Sequence, residues 1–75
     1  MAARGKGHDM LSRTIGANVR RYRLQRGLTQ QELAFRAGLC IKTIYRVEKG
    51  IANLTIDVAE SIARVLDVPV LWLFA

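Results

Sequence analysis

The sequence predicts an all-α fold of five short helices, and three observations carry that prediction. Apolar residues recur at helical spacing in separate runs: Leu11, Ile15, Val19 and Tyr22, then Ile41, Ile44 and Val47, then Ala59, Ile62, Ala63 and Leu66. Gly27, Gly38 and Gly50 each stand where a left-handed residue would end a helix. Thr29 and Thr55 stand where a side-chain oxygen can cap the next one. A length of 75 residues allows one small domain, assigned to residues 11–75, and leaves no room for a separate effector-binding or catalytic domain. A core this small is marginal, so self-association would help it.

Residues 1–10 are assigned to a flexible basic tail, because Met1 to His8 is rich in Gly and basic residues without periodicity. The tail is either frayed and solvated, with His8 exposed, or a basic arm that lies along DNA. Met10 offers an alternative start. Ser12 is placed to cap the first helix, and Gly27 to close it. Arg20, Arg21 and Arg26 fall on the solvent side, whereas Arg23 follows Tyr22 beside the buried stripe.

Thr29 followed three residues later by Glu32 is a capping box, and Leu28 with Leu33 has the spacing of a hydrophobic staple. The second helix turns Leu33, Ala34 and Ala37 inward; Ala34 is small where two helices must approach. Gln30 and Gln31 lie at its amino end, where free amides and the helix dipole suit a phosphate. Phe35 and Arg36 fall outside the stripe. After Leu39 and Cys40 the third helix presents Ile44 and Val47 to the core, and Lys42, Thr43, Tyr45, Arg46 and Lys49 on the opposite face. Cys40 is a weak cap, since a thiol accepts poorly. Two short helices joined by a tight Gly-containing turn form a helix-turn-helix, whose second helix can enter a major groove. Thr55 should cap the fourth helix, with Asp57 favourable at its positive end. Asp67 occupies the place of a terminal glycine, and Pro69 starts a last short helix. Val70-Leu71-Trp72-Leu73-Phe74 is apolar throughout, so one core cannot cover all of its faces.

Twelve Lys and Arg against six Asp and Glu give a net charge of +6, and nine of the twelve are Arg, which suits phosphate and guanine edges. Such a balance favours nucleic acid or an acidic membrane. One Cys excludes an intrachain disulfide and fits a reducing cytoplasm. No apolar run is long enough to span a bilayer, and the amino terminus lacks a signal-peptide core, so a soluble, cytoplasmic protein is expected. One His and one Cys supply neither a nucleophile–base pair nor a metal cluster. No enzyme activity, metal, cofactor or small-molecule ligand is expected.

Thr29-Gln30, Glu32-Leu33-Ala34, Ala37-Gly38, Ile44, Glu48 and Gly50 together resemble the helix-turn-helix of the phage-repressor (Cro/repressor, or Xre) family of transcription regulators. The resemblance runs from about Ile15 to Phe74. It implies a compact repressor-type DNA-binding domain, with the helix-turn-helix formed by helices two and three. It implies that Arg23 pairs with Glu48, and that Ile41, Lys42 and Arg46 read bases. Arg46 and, less rigidly, Lys42 would grip guanine O6 and N7. Ile41 departs from the polar residue usual there and could meet only a thymine methyl. Gln30, Thr43, Tyr45 and Lys49 would touch the DNA backbone. Leu73 and Phe74 would fold back on Ile62 and Leu66, leaving Val70, Leu71 and Trp72 as a dimer interface. The loop from Ile51 to Leu54 is less basic than usual, and Asn53-Leu54-Thr55 is similar to the controller proteins of restriction–modification operons. The function expected is a sequence-specific regulator, repressor or activator, binding a two-fold symmetric double-stranded DNA operator as a homodimer. Half-site centres would lie about one turn (~34 Å) apart. The alternative is a protein-interaction module, an antitoxin or adaptor, that uses the same fold without reading bases.

Overall fold

The computed structural model describes residues 4–52 and 54–75, with side chains from residue 10 onward; Met1 to Ala3, the His8 side chain and Asn53 lie outside the described residues. Four α-helices follow one another: α1 (Arg4–Gln25), α2 (Gln30–Ala37), α3 (Ile41–Lys49) and α4 (Ile56–Leu66). A short 3-10 helix, Val70–Phe74, takes the place of the expected fifth α-helix. Five residues after Pro69 cannot close more than a turn or so of i to i+4 bonds, and the tighter i to i+3 pattern serves such short pieces. No strand occurs among the described residues.

The first helix begins at Arg4, earlier than its apolar stripe required, so Ser12 lies inside it rather than at its cap and residues 4–10 of the expected tail are helical. Leu11, expected in the stripe, is about half exposed. The stripe therefore starts at Ile15. Gly27, at φ 72°, ends the run, and Leu28 N–H donates back to Arg23 O at 3.1 Å.

The capping box at α2 is complete: Glu32 N–H donates to Thr29 Oγ1 at 3.0 Å and Thr29 N–H to Glu32 Oε1 at 2.8 Å. The Thr29 backbone bond, and secondarily its hydroxyl, hold the Glu32 carboxyl below the ordinary carboxylate range. The box is thus at full strength above the unfolded carboxyl's pKa and is lost as pH falls through the lower folded value. Leu28 and Leu33 are both buried, as a staple requires.

The core gathers Ile15 and Val19 from α1, Leu33 and Ala34 from α2, Ile44 and Val47 from α3, and Ala59, Ile62, Ala63 and Leu66 from α4. Leu73 of the 3-10 helix closes it, with Phe74 packed partly against it. Thr55 caps α4 by accepting from Val58 N–H at 3.2 Å. Asp67 ends α4 in the left-handed conformation at φ 59°, which costs a residue with a Cβ more than glycine. Arg26, exposed as expected, helps to offset that: its Nε donates to Leu66 O at 2.8 Å, satisfying a carbonyl left free at the helix end.

Candidate nucleic-acid interface

The turn that sets α3 against α2 is built on Gly38 at φ 72°, with Leu39 N–H donating back to Ala34 O at 2.8 Å. Cys40 makes no side-chain cap, so its thiol leaves the first amides of α3 without the bond a Ser or Thr would give. Ile44 and Val47 anchor α3 in the core. Its outward face presents Ile41, Lys42, Tyr45, Arg46 and Lys49, all exposed, whereas Thr43 is half-buried at the edge. Lys49 Nζ lies 5.7 Å from the Tyr45 ring centroid, close enough for cation–π attraction. Glu48, the one acidic residue of α3, is turned inward, so three cations share a face with no carboxylate among them.

Glu48 is held from two sides. Arg23 Nε donates to Glu48 Oε2 at 2.6 Å and Nη2 to Oε1 at 3.0 Å, a two-pronged pair that ties α1 to α3. The third guanidinium nitrogen, Nη1, donates to Leu28 O at 2.9 Å. Gln30 completes the group: its Nε2 donates to Glu48 Oε1 at 3.0 Å. The structure thus brings Arg23 and Glu48 together, and draws the Gln30 side chain into the same network rather than leaving it free at the surface. Sequence reasoning missed this third member because a glutamine at a helix start has the same signature whether it faces solvent or a neighbour.

At the opposite end of the chain, Val70 is partly buried against the core, while Leu71 is 75% and Trp72 53% exposed. The exposed turn therefore rests on Leu71 and Trp72, with Val70 at its root. Asn18, which the sequence reading passed over, is buried and donates to Leu73 O at 2.9 Å and Trp72 O at 3.3 Å. Its oxygen accepts from Arg21 Nη2 at 3.1 Å, and that guanidinium carbon stands 5.1 Å from the Tyr22 ring centroid. Tyr22 and Trp72 rings are 6.4 Å apart, so α1 clamps the turn by both its backbone and its aromatic side chain. A signal was present: an asparagine three residues after Ile15, on the apolar stripe, must find partners when buried. Phe35, 85% exposed, touches none of this.

Sequence reasoning also missed Gly16. A Cβ there would stand 2.3 Å from Val47 O, so α1 and α3 approach more closely than any other residue would allow.

A helix-turn-helix family model matches residues 19–73 of the chain. An HTH-type transcriptional regulator of Archaeoglobus fulgidus is 39% identical over 56 residues, which cover 75% of this chain and 80% of that one. Among solved structures, the restriction–modification controller protein C.AhdI of Aeromonas hydrophila superposes with a TM-score of 0.81 at 32% identity, covering 84% of this chain and 96% of that one. The biofilm regulator SinR of Bacillus subtilis, solved in complex with DNA, gives a TM-score of 0.78 at 32% identity, covering 81% of this chain and 98% of that one. No helix among the described residues is long and apolar enough to cross a membrane.

Proposed function

The chain belongs to the Xre/Cro-type helix-turn-helix family of transcriptional regulators, and from that premise we propose that it binds a two-fold symmetric DNA operator as a homodimer. The observation that carries the reading is the outward face of α3, where Lys42, Arg46 and Lys49 stand together while the only carboxylate is turned inward onto Arg23. The complex of SinR with DNA supports a nucleic-acid partner for this fold. In the proposed complex α3 lies in the major groove. Arg46 and Lys42 grip guanine edges, and Ile41 meets an apolar group beside them. Lys49, Tyr45 and Thr43 face the phosphates, joined by the free backbone N–H groups of Gln30 and Gln31 at the start of α2, since the Gln30 side-chain amide is committed to Glu48. The regulator works in the cytoplasm by occupancy, blocking polymerase or contacting it according to where the operator lies.

Arg46→Ala should relax sequence preference at one or two base pairs and cost roughly 1–3 kcal/mol at the preferred site, leaving random duplex binding nearly unchanged. Titration of a selected and a random duplex across a salt series checks this. Equal losses on both duplexes would remove Arg46 from base reading, and a chain that selects no duplex at all would be the interaction module instead.

The dimer reading rests on Leu71 and Trp72, exposed side by side on a turn that Asn18 and Tyr22 hold in place. A two-fold axis beside this turn lets the patch meet itself and pairs two recognition helices. Leu71→Glu combined with Trp72→Ser should give a folded monomer with sharply weakened operator binding. Sedimentation of the double variant decides: one that stays dimeric refutes this interface.

A further inference from the structure

We propose that Ile41 and Tyr45 form a methyl-reading ridge that recognises the C5-methyl groups of thymines in the operator, beside the guanines held by Lys42 and Arg46. The proposal rests on the base-reading role of α3 argued above, and moves Tyr45 from the DNA backbone to the base edges.

Ile41 and Tyr45 lie one helical turn apart and are each about half exposed, at 49% and 48%. Lys42 and Arg46 form a parallel row one residue further round the helix. Long side chains on a helix lean toward its amino end, over the preceding turn, and a Tyr45 ring that follows this rule reaches toward Ile41, so that the two would make one apolar strip. Lys49, a turn later, stands 5.7 Å from the Tyr45 ring centroid and closes the strip at its carboxy end. The result is an apolar ridge with cations along one side and at one end.

That pattern has a matching partner. The major groove has anionic walls of phosphate and one apolar group on its floor, the thymine methyl. An isoleucine side chain has no hydrogen-bond donor or acceptor, so at a base-reading position it can discriminate only by apolar contact. Tyr45 extends that contact to a neighbouring base step.

The test uses the full chain and a duplex selected from a random pool. Each thymidine is replaced in turn by deoxyuridine, which removes the methyl and leaves the pairing edge unchanged. One buried methyl is worth roughly 4-fold in affinity, so symmetric replacement in both half-sites should cost roughly 15-fold at one or two thymine positions. Ile41→Ala and Tyr45→Ser should each bind the thymidine and deoxyuridine operators alike at the position they read. In parallel, 7-deazaguanine replaces the selected guanines and removes the N7 acceptor. An operator sensitive to deazaguanine but indifferent to uracil overturns the ridge while leaving base reading by α3 intact. Uracil sensitivity that survives both substitutions assigns the methyl contact to other residues and also overturns it. A pool that yields no preferred duplex removes base reading and the ridge together.

Discussion

Glu48→Ala should lower the stability of the domain by about 3–5 kcal/mol, the range for stranding a buried charge. Both side chains of the pair are nearly out of water, at 9% for Arg23 and 4% for Glu48, so surface screening does little to soften the loss. Removing the carboxylate takes two charge-assisted bonds from Arg23 and one from the Gln30 amide. Small domains have a margin of only about 5–15 kcal/mol, so the variant should be largely unfolded well below the wild-type melting point. Arg23→Met alone should do comparable harm, because Leu28 O loses its donor along with Glu48. Replacing both members by apolar residues, Arg23→Met with Glu48→Leu, should recover much of the loss, since no charge is then left stranded. Urea denaturation of the wild type, Arg23→Met, Glu48→Leu and the Arg23→Met/Glu48→Leu variant forms a double-mutant cycle. Additive losses, with no coupling between the two positions, would mean that the pair does not hold α1 to α3.

Much of the helix-turn-helix was legible because its signals are local. Thr29 and Glu32 announce a capping box within four residues, and Gly38 and Gly50 supply the left-handed backbone that ends α2 and α3. The outward face of α3 followed from Ile44 and Val47 alone, since fixing the buried side of a helix fixes the other. What stayed hidden depends on which elements meet. Arg26 has the sequence setting of a surface arginine, and only the arrival of the α4 end beside it turns it into a cap. Asn18 finds its partners 54 and 55 residues away, on carbonyls of a turn whose path no local pattern specifies. The 3-10 form of the last element is a different case: only five residues follow Pro69 in it, a local limit that favours the tighter turn, and the apolar pattern alone did not distinguish the two helix types. The roles of Lys42, Arg46 and the Leu71–Trp72 turn concern partners outside the chain. The fold shows these side chains exposed, and binding measurements assign their work.

Gly16→Ala should destabilise the domain by about 3 kcal/mol, at the upper end of what overpacking costs. The sign makes this a demanding expectation. In an ordinary helix interior the same change would stabilise by up to about 1 kcal/mol, because alanine is the better helix former. Here the added Cβ would lie 2.3 Å from Val47 O and 2.8 Å from Glu48 O, and both obstacles are backbone. A side chain could rotate out of the way; a carbonyl inside a hydrogen-bonded helix cannot, so α1 and α3 must move apart. That separation acts where the Arg23–Glu48 pair bridges the same two helices at 2.6 Å, and charge-assisted bonds weaken steeply as they lengthen. The variant should therefore lose stability and also part of the coupling between Arg23 and Glu48, because one close approach underlies both. Denaturation midpoints for Gly16→Ala, alone and combined with Glu48→Ala, measure the two effects. Losses smaller in combination than their sum would show the shared cause, whereas a raised midpoint for Gly16→Ala alone would show that α1 and α3 do not pack this closely.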